Sequence, residues 1–110
     1  MGAVSLGVVL LGATAACSSN SSSDTSSATW KLGVEAPLTG DQSTLGQGML
    51  QGAQLAADQV NTAGGVLGRK IEIIKIDDAA NAATGVAAAN AAIAAGLNGV
   101  VGPYNSSVGT

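Results

Sequence analysis

Four groups of residues in this 110-residue chain are chemically suggestive: Cys17, the glycine pair Gly46 and Gly48, the acidic pair Asp77–Asp78, and the run Tyr104-Asn105-Ser106-Ser107. The last of these offers short hydroxyl and amide donors just after Gly102, where the backbone can turn sharply. Such donors suit a carboxylate, especially where helix amides add their N–H groups. The same residues also start helices with no ligand involved. Asp77 and Asp78 are adjacent, so on a strand they point to opposite faces and cannot work as an acid–base pair. A strand end or a helix cap is their simpler use. The chain has no histidine, which removes the commonest general base and metal ligand. One cysteine forms neither an internal disulfide nor a cysteine metal site. No metal and no cofactor is expected. The net charge is −3, with only Lys31, Arg69, Lys70 and Lys75 as cations. Without a basic patch or an aromatic platform, nucleic-acid binding is not expected.

The elements that must hold these residues follow from periodicity. Residues 30–36 (WKLGVEA) alternate as a strand with Leu32 and Val34 inward. A helix is predicted from about Thr44 to Asn61. Its stripe is Leu45, Met49, Ala53, Ala56 and Val60, and Gly48 and Gly52 would allow close approach to a sheet. Ala63-Gly64-Gly65 ends it, with glycine as the left-handed cap. Residues 69–77 (RKIEIIKID) form a second strand with isoleucines on both faces, as a covered parallel sheet requires. A second helix runs from about Ala82 to Ala95, capped by Asn81 and stopped by Gly96, with Val86, Ala89, Ile93 and Leu97 as its stripe. Gly99 to Gly102 is a third, short strand. The order β-α-β-α-β with right-handed crossovers gives an α/β, doubly wound parallel sheet of spatial order 2-1-3. Ligands of such sheets bind where the connections diverge, at the carboxyl ends of the first and third strands. Two loops line that place: Pro37 to Gly46, and Pro103 onward.

The amino-terminal third reads differently. Ala3 to Ala16 is 14 uncharged, mostly apolar or small residues. About 20 are needed to span a bilayer, so this is a signal-type apolar segment. Thr14-Ala15-Ala16 then lead into Cys17. This resembles the lipobox of bacterial lipoproteins, whose cysteine is lipidated and becomes the mature amino terminus. Thr14 stands where that family favours leucine. Met1-Gly2 supplies no basic n-region, which places the expected true start upstream. The tract Ser18 to Ser27 (SSNSSSDTSS) is too polar and simple for a core. As a flexible tether, ten such residues reach about 17 Å.

The folded part also resembles a family. KLGVEAPLTGDQSTLGQGMLQGAQLAADQVNTAGGVLGRKIEIIKIDD, residues 31–78, is similar to the opening of the periplasmic leucine/isoleucine/valine-binding proteins, and GGVLGRKIEII followed by DDAAN is its most specific stretch. The likeness implies a type I periplasmic-binding-protein fold of which residues 30–110 are an incomplete first lobe. It implies a solute-binding component of an ABC importer, with an aliphatic amino acid as ligand, an ABC permease as partner, and anchorage to the cell membrane through Cys17. Carried over residue by residue, Ser106 would hold the ligand carboxylate. Tyr104, Asn105 and Ser107 would flank it, and Leu45 would touch the ligand side chain. The family often carries a disulfide-forming cysteine where this chain has Ala80. The implied layout is 1–17 signal peptide with the lipobox cysteine, 18–29 linker, and 30–110 a truncated binding domain. The second lobe, which pairs the ligand ammonium, would lie outside these 110 residues.

Two other classes fit parts of the pattern. A sensory or adhesive surface lipoprotein would share every feature above except the permease. A Rossmann-type nucleotide-binding enzyme would use Gly46-Gln47-Gly48 and Asp77-Asp78. Its third glycine position holds Gln51, however, and its glycines follow the first strand by ten residues where the fingerprint needs them at once. The chain is therefore expected not to be an enzyme. Its folded part is expected to be marginal alone, because alanine supplies much of its apolar content and only Trp30 and Tyr104 are aromatic.

Overall fold

The computed structural model describes residues 28–110. The signal segment, Cys17 and most of the linker therefore lie outside the described residues. Five elements follow in the order β1 (Trp30–Ala36), α1 (Ser43–Thr62), β2 (Ile71–Asp77), α2 (Ala82–Ala94) and β3 (Gly99–Val101). All strands are parallel, in the order β2-β1-β3. Trp30 is level with Ile71, and Leu32 is level with both Ile73 and Gly99. The doubly wound sheet expected from sequence is the observed one.

The two helices cover opposite faces. Leu32, Ile71 and Ile73 line a cavity of about 150 Å³ together with Ala53, Ala56, Ala57 and Val60 of α1. Ile74 and Ile76 line another, of about 330 Å³, with Ala88, Ala91 and Ala92 of α2. The four isoleucines of β2 thus serve two layers, as burial on both faces requires. The centre of the core is β1, where Val34 and Ala36 are completely buried. Gly33 is there for fit. A methyl group on it would come within 2.5 Å of the Ile76 side chain and 2.7 Å of Leu97.

Several sequence expectations need correction. The buried residues of α1 are Gly46, Leu50 and Ala57, whereas Leu45 is half exposed, so the inward stripe is turned by about one residue. Gly48 and Gly52 face open space and do not bring the helix to the sheet. Gly46 instead brings the start of the helix against the first loop: a side chain on it would overlap the Pro37 carbonyl. In α2 the buried face is Gly85 and Ala92, and Val86 and Ile93 are exposed. Small residues occupy most of both buried faces, with Leu50 the large exception, because Gly46 and Gly85 leave room for the Pro37 carbonyl and for Val108 and Glu35. β2 begins at Ile71 instead of Arg69, since Arg69 closes a tight turn with Val66 by mutual backbone hydrogen bonds of 2.8 and 3.0 Å.

The element ends behave as their residues suggest. Gly64 and Gly65 have φ of 108° and 79°, and Gly65 N–H donates to the Val60 carbonyl at 2.8 Å. Asn61 lies just before this stop and clamps the start of β2. Its Nδ2 donates to the Ile71 carbonyl at 2.8 Å and its Oδ1 accepts from Ile71 N–H at 2.7 Å. Asn81 caps α2 by accepting from Thr84 N–H at 3.1 Å, and Gly96, at φ 71°, stops it. No described helix is long and apolar enough to cross a membrane.

Candidate functional site

The order β2-β1-β3 puts the connections of β1 and β3 on opposite faces, so their carboxyl ends open a crevice between two loops. The first loop, residues 37–42, leaves β1 at Pro37, which is fully buried. Asp77, at the end of β2, holds this loop. Its Oδ1 accepts from Leu38 N–H at 2.8 Å, Thr39 N–H at 3.3 Å and Ala79 N–H at 2.9 Å. Its Oδ2 accepts from the Thr39 hydroxyl at 2.6 Å. Gln47 adds a bond from its Nε2 to the Leu38 carbonyl at 3.3 Å. Burial pushes the Asp77 carboxyl up, but the bonds from Thr39, Ala79 and Leu38 outweigh it and leave its pKa below the usual aspartate value. Asp77 is therefore neither a bare strand end nor a helix cap. It ties the first loop down, and only the long-range pairing of β1 with β2 brings these residues together.

Asp78 points the other way and is completely buried. Its Oδ1 accepts from Ala80 N–H at 2.8 Å, and its Oδ2 is buried without a hydrogen-bond partner. Two consecutive aspartates thus take the N–H groups two residues ahead, which holds Ala79 and Ala80 at φ of 49° and 56°. Beside Asp78 lies Glu35, only 6% exposed. Burial first, and the Asp78 carboxylate second, push the Glu35 pKa up. Gly85 makes room for this pair: a side chain there would overlap Val108 and come within 3.3 Å of Glu35 Oε1. Alternation along β1 does not single out Glu35, because a glutamate on a strand normally faces water. The signal was present in its placement on a central strand of a sheet covered on both faces.

The second loop follows Gly102, which at φ 129° passes so close to β1 that a side chain would overlap the Glu35 carbonyl. Residues 105–108 make one turn, closed by Val108 N–H to the Asn105 carbonyl at 3.0 Å, and Val108 is buried as its anchor. A cavity of about 220 Å³ lies behind this turn, lined by Glu35, Gly85, Val86, Pro103 and Val108 among others. Of the sequence-predicted site residues, Tyr104 is 45% and Leu45 50% exposed, and Ser106 and Ser107 are exposed. Asn105 is half-buried, and its Nδ2 donor is buried without a partner. All five stand at the carboxyl end of the sheet, Leu45 on the first turn of α1 and the other four after β3. A turn of this kind can offer hydroxyls and an amide to a small anion. Among the described residues there is no group of three or more metal-ligating side chains.

Comparison with known proteins is consistent with this architecture. The family model described as "Periplasmic binding protein" matches residues 29–110. The Leu/Ile/Val-binding protein BraC3 of Rhizobium johnstonii is 43% identical over 77 residues, covering 70% of this chain and 21% of that protein. The crystal structure of the branched-chain amino acid transporter substrate binding protein LivJ from Streptococcus pneumoniae, in complex with isoleucine, superposes with a TM-score of 0.69 at 31% identity, covering 74% of this chain and 24% of that one. An ABC transporter substrate-binding protein from Desulfitobacterium hafniense in complex with Leu has a TM-score of 0.59 at 34% identity, over 74% of this chain and 23% of that one. The chain spans about a fifth of the length of the curated relatives it matches.

Proposed function

Because the chain belongs to the periplasmic binding protein family, whose members are solute-binding proteins that work outside the cytoplasm, we propose that it is part of the solute receptor of an ABC importer for aliphatic amino acids. The observation that carries this reading is the crevice at the carboxyl ends of β1 and β3. There the hydroxyl-bearing turn Asn105-Ser106-Ser107 follows β3, and the loop fixed by Asp77 follows β1. Ser106 is assigned to the ligand carboxylate, with Tyr104, Asn105 and Ser107 around it. Leu45, exposed on the first turn of α1, is assigned to the ligand side chain. The ligands named for the relatives, leucine, isoleucine and valine, support an aliphatic solute, and their transport role supports an ABC permease as partner.

The reading includes a layout: 1–17 as signal peptide, 18–29 as linker and 30–110 as part of a first lobe, with Cys17 lipidated and the receptor tethered to the membrane. The small residues before Cys17 and the serine tract after it support this. Stable anchoring takes two acyl chains or one chain with a second signal. Detergent partitioning after bacterial expression tests it. The wild type is expected in the detergent phase and Cys17→Ser in the aqueous phase; equal partitioning would remove the anchor from the reading.

The binding assignment is tested by calorimetry on a receptor carrying both lobes. A charge-assisted hydrogen bond contributes about 1.5–3 kcal/mol. Ser106→Ala is therefore expected to weaken amino-acid binding roughly ten- to a hundredfold, and Ser107→Ala to weaken it less. The 110-residue chain, with one lobe's contacts, is expected to bind no amino acid tightly. Unchanged affinity in Ser106→Ala, or micromolar leucine binding by the short chain, would overturn the assignment.

A further inference from the structure

Glu35 and Asp78 are buried together with no cation to meet them. Glu35 is 6% exposed and Asp78 is completely buried. A side chain at Gly85 would overlap Val108 and come within 3.3 Å of Glu35 Oε1 and 3.8 Å of Asp78 Cβ. The two acids thus meet where the anchor of the Asn105–Val108 turn is seated. Alternation places Glu35, level with Ile76, and Asp78 on the face covered by α2, and turns Lys75 and Asp77 to the other face. From β2, Asp78 is therefore the one charge that faces Glu35. Residues 79–110, which include α2, β3 and the second loop, contain no charged side chain, and their one titratable side chain, Tyr104, is 45% exposed. Lys31 shares the face of Glu35 but stands about 13 Å away at the start of β1. Thr110 lines the same cavity as Glu35 and brings at most another carboxylate.

Hydrogen bonding points the same way. A carboxylate only accepts, whereas a protonated carboxyl also donates. Asp78 Oδ1 accepts from Ala80 N–H at 2.8 Å, and its Oδ2 is a buried acceptor without a donor. We propose that Glu35 and Asp78 form a proton-operated latch for the second loop: with one proton between them they seat Val108 and its turn, and without it they release both. In the protonated pair Glu35 supplies the donor that Asp78 lacks. With the proton gone, two like charges remain in a poorly hydrated place and draw water into the cavity of about 220 Å³ behind the turn, which has room for several molecules. Burial, and then the Asp78 carboxylate, raise the Glu35 pKa. The turn is therefore seated in acid and loosens as pH rises through that raised value. The latch concerns the seat of the turn and needs no ligand. Its consequence, amino-acid binding that weakens as pH rises, rests on the assignment of Ser106.

The test uses the full 110-residue chain without amino acid, so its failure is separate from a failure of the Ser106 assignment. Three signals are followed by NMR: the Glu35 carboxyl carbon, the Val108 methyl groups, and exchange protection of the Val108 N–H, which donates to the Asn105 carbonyl. From about pH 4 to about pH 8, Val108 protection should fall about fivefold. The Val108 methyl shift should share the midpoint of the Glu35 carboxyl. Emission of Trp30, at the other end of β1, should hold steady. Glu35→Gln keeps a donor at every pH and should hold Val108 at its acid level of protection throughout. Asp78→Asn removes the like charge and should move the midpoint to lower pH. Flat Val108 protection in the wild type, separate midpoints for Val108 and Glu35, or pH dependence retained in Glu35→Gln would overturn the proposal. So would Trp30 emission that changes together with Val108, since the whole chain would then be unfolding. Protection restored at high pH by sodium or calcium chloride at constant ionic strength would also overturn it, by identifying a cation as the occupant.

Discussion

The two ends of the sheet misuse opposite kinds of side chain. The carboxyl end buries charge: Glu35 and Asp78 are in the core, and Asp77 is wrapped in N–H and hydroxyl donors. The amino end exposes apolar surface, with Leu67 and Val66 in solvent and Arg69 laid on Trp30. Strain is also handled differently. Ala79 and Ala80 are left-handed because the Asp77 and Asp78 carboxylates pull their N–H groups inward. Leu67 is left-handed in a turn closed by backbone bonds between Val66 and Arg69, with the Trp30 indole N–H also donating to the Val66 carbonyl. Carboxylates hold one end, and an indole N–H, a stacked guanidinium and backbone bonds hold the other. The ends should therefore respond to pH and to mutation in different ways.

The largest effect is expected at Asp77. Asp77→Ala removes the acceptor of four hydrogen bonds and frees the first loop, at a cost of about 3 kcal/mol. A chain this poor in large apolar residues is expected to have stability below about 5 kcal/mol and a broad urea transition, so the variant should be largely unfolded. Leu38 and Thr39 amide exchange tests the cause directly, and protection that survives in Asp77→Ala would show that the loop is held by something else. The pH dependence follows from the lowered Asp77 pKa. Its contribution is complete above the unfolded aspartate value of about 3.9 and is lost as pH falls through the lower folded value.

Glu35 should act in the opposite sense and more weakly. Its pKa is raised in the fold. Its destabilising contribution is therefore absent below the unfolded glutamate value and complete above the raised folded one. Glu35→Gln should stabilise the chain at neutral pH by about 1 kcal/mol, the ordinary scale of a favourable point change. The gain should vanish in acid. A destabilised Glu35→Gln at pH 7, measured by urea unfolding, would mean that the buried carboxylate has a partner it needs.

The smallest pair of effects separates the two sources of strain. Ala80→Gly should gain a few tenths of a kcal/mol, because relief of the left-handed alanine is offset by a more flexible unfolded chain. Leu67→Asn should gain about 0.5–1 kcal/mol, since its turn has no carboxylate holding it. Thermal unfolding of both, run side by side, decides this. A larger gain at Ala80 than at Leu67 would reverse the comparison.

Much of the fold was legible because it rests on β-branched and glycine signals. β1 fell at residues 30–36 as read, the strand order followed from handedness, and Asn81 and Gly96 bounded α2. The phase of the helices was not legible. α2 is rich in alanine, so its apolar pattern is nearly flat and several faces look equally buriable, while in α1 the large residues Leu45, Met49 and Leu50 sit on adjoining faces and leave the phase open by about one residue. Close approach decided the matter, through Gly46 on Pro37 and Gly85 over Glu35. Those contacts join residues from different elements and leave no local trace. The site was legible in part. The switch point and the donor-bearing turn could be read, and the buried partners beneath them, Glu35 and Asp78, could not.

The central strand is also the first to be made. β1 cannot complete either edge locally: Arg69 reaches back 41 residues to Ala28, and Asn98 reaches back 67 to accept from the Lys31 N–H. Every ladder in the sheet is non-local, and such topologies fold slowly because long loops must close before any contact repays them. On a ribosome, β1 emerges with no partner until β2 and then β3 have followed. A chain wired this way stays loosely structured through much of its synthesis. Late pairing of this kind suits a family that works outside the cytoplasm.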